Sequence, residues 1–202
     1  MSAQPGYPRA GQPGPANPPG EAELAGPAVT QRRAAARGLR LAQAACVAGL
    51  AYAAISVYWA LGGTWLLDTV GGTLDQQAHA GNLGIILAVW AAAVLKIIGA
   101  IVPLAAAGGT PGRATTAGRR QLRVPAWLEA AILTIYGLVL TGAGLLVQSG
   151  VIASAASADH RALAWHAYLW DPWFLLWGVL ITAALVGSRQ PRAARIAPSR
   201  SR

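Results

Sequence analysis

The sequence predicts an all-α integral membrane protein: a four-helix bundle with both termini cytoplasmic and a disordered amino-terminal tail. Three observations predict it. Apolar residues gather into four runs of membrane-spanning length, at about 41–61, 83–106, 125–151 and 165–187. The 202-residue chain is 54% hydrophobic and only 11% charged, against roughly 25% charged in typical soluble domains. Its arginines flank the apolar runs instead of lining one soluble face, so the net charge of +9 does not point to a nucleic-acid partner. The single cysteine, Cys46, lies inside an apolar run and excludes both an intramolecular disulfide and a two-cysteine relay.

Residues 1–35 form a Pro/Gly/Ala-rich tail. Seven prolines and five glycines fall in residues 1–30, and such a composition buries too little apolar surface to offset the entropy of ordering. The expected domain of four membrane helices covers 36–188, and a basic tail covers 189–202.

Arg32, Arg33, Arg37 and Arg40 precede the first run, Leu41 to Leu61. At 1.5 Å per residue this run spans roughly 31 Å, the thickness of a bilayer's hydrocarbon core. Ala45, Gly49 and Ala53 make a ridge of small residues on which another helix can pack closely. Tyr58 and Trp59 close the run at an interface, and Gly62-Gly63 follow. The connector repeats Gly-Gly-Thr at 62–64 and 71–73. Between the repeats, Trp65 to Val70 reads as a short interfacial turn, with Asp68, Asp75 and His79 towards water.

The second run carries Trp90, Lys96 and Pro103. The next linker holds Arg113, Arg119, Arg120 and Arg123. Pro125 opens the third run, with Trp127 and Glu129 in its first turn. A second connector contains Asp159, His160, Arg161 and His166. In the fourth run Asp171 is placed to cap and Pro172 to occupy the first helical position. Pro172 to Gly187 alone gives roughly 24 Å of helix, short for a bilayer. Either the helix begins earlier, near Leu163, with a bend at Pro172, or it sits beside a thinned, tryptophan-rich rim.

Orientation follows from charge. All basic residues except Lys96 and Arg161 lie in the amino-terminal flank, the middle linker and the carboxyl tail. Positively charged loops stay inside, so both termini are expected in the cytoplasm and both connectors outside the cell membrane.

Two sets of residues are candidates for function. Lys96 is the one charge well inside an apolar run, where a lysine costs roughly 2.5 to 3.5 kcal/mol. Glu129, on the next helix of a hairpin, is its expected counter-ion. The pair fixes hairpin packing or forms a proton or substrate site; alternatively the lysine stem snorkels. The second set is an outer-face cluster of Tyr58, Trp59, Asp68, Trp170, Asp171 and Trp173. It is read first as an aromatic belt with a cap, and second as a pocket for a lipid head or an apolar ligand. His79, His160 and His166 have irregular spacings that do not match a metal site, and no cofactor is expected. No nucleophile-base motif is present, so the enzyme reading finds no positive support.

Tyr58-Trp59-Ala60-Leu61-Gly62-Gly63 with Trp65, and Trp170-Asp171-Pro172-Trp173-Phe174 with Gly178, resemble the hallmarks of the domain of unknown function 3995 family (DUF3995). Tyr136-Gly137 in the third run also fits. The resemblance covers about residues 40–187 and implies a small four-helix bacterial membrane protein, with no reaction attached. Family members often carry a histidine shortly before the Tyr-Trp pair; Ser56 and Val57 stand there in this chain, so that histidine's role does not transfer. The expected function is therefore a non-catalytic membrane component acting through lipid, a partner helix or a homo-oligomer. The alternatives are transport by an oligomer through Lys96 and Glu129, or a ligand-binding or enzymatic pocket near Asp171.

Overall fold

Four long helices account for nearly all the regular structure in a computed structural model, which describes residues 21–71, 83–108, 116–155 and 158–188. No strand occurs among the described residues, and all four helices are long and apolar enough to cross a membrane. Residues 1–20 of the tail, Asp75, His79, Arg113 and the tail from 189 lie outside the described residues. The chain divides into two compact units, Met1–Arg33 and Ala34–Arg202. In the first, the described part, from Glu21, is helical. The second holds the helix bundle.

Helix α1 is Glu21–Ala60. It extends ahead of the apolar run because residues 32–40 are largely alanine, arginine and leucine, all strong helix formers. It stops where Gly62 takes φ 92. Gly63 N then donates to Tyr58 O at 2.9 Å and Gly62 N to Trp59 O at 3.0 Å, the paired bonds of a Schellman cap. A 3-10 turn, Leu67–Thr69, follows.

Helix α2 is Leu83–Ala106 and contains Pro103. Helix α3 is Thr116–Gln148. The sequence places Pro125 at the start of this helix, but it lies inside it, since the preceding arginines continue the helix. A second Schellman cap ends α3: Gly150 has φ 76, with Val151 N donating to Leu146 O and Gly150 N to Val147 O, both at 3.0 Å.

Helix α4 runs His160–Gly187 in three registers: α-helical to Trp165, π-helical over His166–Trp170, and α-helical again from Asp171. The early start answers the length question at Pro172, since 28 residues span roughly 42 Å. The wider π turn falls just before Pro172, where the ring and the missing N–H disturb the regular ladder. The capping aspartate is Asp159, which accepts from Arg161 N at 3.0 Å and Ala162 N at 3.1 Å. Asp171 is instead buried at 4% exposure and caps nothing.

The core is built on small side chains. Ala45, Ala100, Ala126 and Ala130 surround Trp177, Ile181 and Leu185. The ridge expected on α1 is buried, with Ala45 at 1% and Ala53 at 2% exposure. Between them Trp177 lies so close that a Cβ on Gly49 would sit 2.5 Å from its ring. Helices α3 and α4 meet backbone to backbone: a Cβ on Gly137 would strike Leu175 N, and one on Gly178 would lie 2.5 Å from Thr134 N. Glycine at these crossings lets van der Waals packing replace bulky side chains. The outward faces are apolar, with Leu87, Leu95 and Ile98 exposed on α2 and Leu128, Ile135 and Leu138 on α3.

Candidate functional site

Lys96 projects from α2 towards α1. Its Nζ donates to Ser56 Oγ at 2.7 Å and stands 4.0 Å from the centroid of the Tyr52 ring. Tyr52 and Ser56 are four apart on α1, hence on one helix face, and both are buried. The hydroxyl accepts one of the ammonium's three N–H groups, and the negative face of the ring attracts its charge.

The expected partner is elsewhere. Among the described residues no ion pair joins Lys96 to Glu129. A Cβ built on Gly99 would lie 2.6 Å from Glu129 Oε1, and this oxygen is buried without a hydrogen-bond partner. Positions 96 and 99 are offset by roughly 60° around α2. That rotation is enough for Lys96 to face α1 while Glu129 packs on the adjacent stripe.

Tyr52 also anchors an aromatic cluster. It stacks on Trp170 at 5.7 Å with planes 15° apart and meets Phe174 edge-on at 4.8 Å. Trp173 lies 6.0 Å from it, with Nε1 donating to Ala48 O at 3.1 Å. Trp59 meets Trp170 edge-on at 5.8 Å, and Tyr136 meets Phe174 at 5.4 Å. Of the candidate cluster, Trp59, Trp170 and Trp173 are thus joined through Tyr52, with Asp171 beside Trp170 in the chain. Tyr58 is 44% exposed and folds over Gly63. Asp68 forms an exposed ion pair with Arg161 at 2.9 Å.

Asp171 helps hold the connector. Its Oδ1 is 3.3 Å from His166 Nδ1, and His166 Nε2 is 3.2 Å from Val70 O. Trp170 Nε1 donates to Thr69 Oγ1 at 3.2 Å, whose hydroxyl donates in turn to Leu66 O at 2.6 Å. The 3-10 turn is thereby tied to the π-helical part of α4.

The tied turn forms part of a cavity of about 470 Å³, within the roughly 300 to 1,000 Å³ typical of small-molecule sites. Ser56 and Trp59 of α1, Leu67 and Val70 of the connector, and Ile85, Val89, Ala92 and Lys96 of α2 are among its walls. Those α2 positions recur at three, four and seven residues, one helix face. The walls are mostly apolar, with Lys96 and Ser56 together at one place on the lining and Thr64 as a further polar residue. Ser56 and Lys96 are within reach of each other as a nucleophile and an amine, but no third group orients them among the described residues.

Sequence reasoning missed Tyr52, Ser56, Thr69 and His166 as members of this constellation. Tyr52 and Ser56 carried a usable signal in their four-residue spacing on the face next to Ala53. The distant partners of Thr69 and His166 carried none.

The profile of a family described as "Protein of unknown function (DUF3995)" matches residues 49–181, a segment that holds Tyr52, Ser56, Lys96, Glu129 and Asp171. No curated protein matches the chain, and no solved structure does.

Proposed function

The chain belongs to the DUF3995 family, whose function is unknown, and from that premise we propose that it is a non-catalytic, multi-pass protein of the cell membrane that holds an amphipathic ligand between α1 and α2. Its four apolar helices lie in the bilayer. Both termini lie in the cytoplasm, as the arginine-rich flanks and linker favour, and the connector with Asp68 lies outside. Lipid is the partner this reading requires.

One observation carries the proposal: a largely apolar cavity of about 470 Å³ has Lys96 among its lining residues, beside the Ser56 to which its amine donates. Mostly apolar walls with a small number of converging polar groups are the usual composition of a ligand site. Binding is favoured over catalysis because Ser56 and Lys96 lack an orienting third group among the described residues. Transport through Lys96 and Glu129 is less favoured, because the two side chains face different neighbours.

The test is co-purification. Full-length protein extracted in mild detergent should retain an amphipathic molecule detectable by native mass spectrometry. Ala92→Phe, which fills the cavity from α2, should abolish retention without lowering the thermal midpoint. Equal retention by wild type and Ala92→Phe would place the bound molecule elsewhere. Hydrolysis of a long-chain ester by wild type but not by Ser56→Ala would replace binding with catalysis.

A further inference from the structure

The ligand's chemistry can be read from the charge the cavity leaves uncompensated. We propose that the α1–α2 cavity takes a single-chain amphiphile with an anionic head, the head seated on Lys96 and Ser56 and the chain along the wall formed by Ile85, Val89 and Ala92. This inference rests on the ligand-holding function proposed above and specifies its substrate class.

Lys96 lies within a span of mean hydropathy 2.6, where an ammonium without a counter-charge is expensive. Among the described residues no carboxylate lies within ion-pair distance of it. Its contacts are a neutral hydroxyl at 2.7 Å and an aromatic face at 4.0 Å. Both stabilise the cation, and neither neutralises it. Three N–H donors meet one hydroxyl acceptor and one ring, and Lys96 and Ser56 both belong to the cavity lining. An anionic group entering there completes the ammonium's coordination with a charge-assisted hydrogen bond.

The rest of the cavity fits an alkyl chain. From Ile85 to Lys96 the α2 wall runs on the order of 16 Å. Its lining on that side is Ile85, Ile86, Ala88, Val89 and Ala92, with no second charge or amide to receive a polar body. Leu67 and Val70 line the far end, in a turn held through His166 and Thr69, with Thr64 beside them as its polar member. An apolar helix face with one cation at its end fits one chain and one anionic head.

Equilibrium binding of radiolabelled palmitate to the full-length protein in nonionic detergent tests this, with hexadecanol and inorganic phosphate as competitors. Palmitate should bind saturably, and hexadecanol, with the same chain and no charge, should compete roughly ten- to hundredfold less well. Lys96→Met should lower palmitate affinity by the same factor and leave hexadecanol unchanged. Lys96→Arg should retain the preference. Equal competition by hexadecanol and palmitate would overturn the anionic head while leaving the ligand-holding function intact. Displacement by phosphate alone would overturn the amphiphile. Absence of binding by either chain would overturn both readings. If Lys96→Met does not fold, the wild-type preference for palmitate over hexadecanol still decides the matter.

Discussion

Trp170 stacks on Tyr52 at 5.7 Å with the two ring planes 15° apart, while the Lys96 ammonium stands 4.0 Å from the same tyrosine ring. One tyrosine thus couples the cavity to the helix that carries Asp171. Tyr52 is 7% exposed, so removing its ring leaves a hole among Trp170, Phe174 and Lys96. Tyr52→Leu should cost about 2 to 4 kcal/mol from lost packing and aromatic contacts, read as a lowered thermal midpoint in detergent. Tyr52→Phe keeps the ring and should stay within about 1 kcal/mol. If both variants lose equally, the ring contacts are not what matters.

The glycine seam between α3 and α4 gives a second, independent prediction. A methyl at Gly137 meets the Leu175 backbone, and one at Gly178 meets that of Thr134; backbone cannot move aside as a side-chain tip can. Gly137→Ala and Gly178→Ala should each destabilise by about 1 to 3 kcal/mol through overpacking. Gly142 has nothing within 4 Å of its would-be Cβ, so Gly142→Ala should be neutral or slightly stabilising. Thermal unfolding of the three variants side by side checks the ordering, and a destabilised Gly142→Ala would count against steric packing as the cause.

These two sites mark what the sequence could and could not disclose. Membrane-length apolar runs are a local signal, and the number and order of helices were legible from them. So was the small-residue ridge at Ala45, Gly49 and Ala53, since four-residue spacing is a property of one helix. Helix ends were less legible: Pro125 read as a start, yet α3 runs through it because the arginines ahead of it continue the helix. The sequence left open whether α4 begins at Pro172 or earlier, and the structure starts it at His160. The partner of Lys96 depends on the rotation of α2 against α1 and α3. A turn of roughly 60° exchanges Glu129 for Ser56 and Tyr52, and no residue pattern within α2 fixes that angle.

The connector should depend on Asp171 far more than on Asp68. Asp171 is 4% exposed and bonded to His166, which in turn holds Val70. Asp171→Ala should cost about 0.5 to 1.5 kcal/mol by removing the carboxylate–imidazole contact. It should also speed hydrogen exchange over Leu67–Gly71. Asp68 and Arg161 have side chains 50% and 66% exposed, so Asp68→Asn should shift stability by no more than about 0.5 kcal/mol. Faster exchange in Asp68→Asn than in Asp171→Ala would reverse the assignment.

Arg123 of α3 should act as a cap for α4. Its Nη2 donates to Leu185 O at 2.7 Å and its Nη1 to Ser188 Oγ at 3.2 Å. A cation on the last carbonyls of a helix opposes the negative end of its dipole. Arg123→Ala should lower stability by about 1 to 2 kcal/mol. Arg123→Lys should recover part of it, since one ammonium cannot span both acceptors as the planar guanidinium does. Full recovery in Arg123→Lys would leave charge alone, without the fork, as the stabilising feature.

The arginine distribution makes a last prediction, about direction in the bilayer. Insertion machinery and the anionic inner leaflet retain basic segments on the cytoplasmic side, and in this chain those segments flank α1, join α2 to α3 and follow α4. Four helices are long and apolar enough to cross, and if all four do, one choice fixes every loop; the orientation proposed above puts the termini and the α2–α3 linker inside and the connector with Asp68 outside. Cys46 is the only native thiol and is buried, so Cys46→Ala gives a background free of competing label. In that background, Asp68→Cys should react with a membrane-impermeant maleimide on intact cells, because position 68 is exposed in its turn. Ser199→Cys should react only after the cells are opened. The reverse pattern would turn the protein over in the membrane and put the tied end of the cavity, at Leu67 and Val70, on the cytoplasmic side. Reaction of both positions from outside would require an odd number of spans and remove one of the four helices from the bilayer.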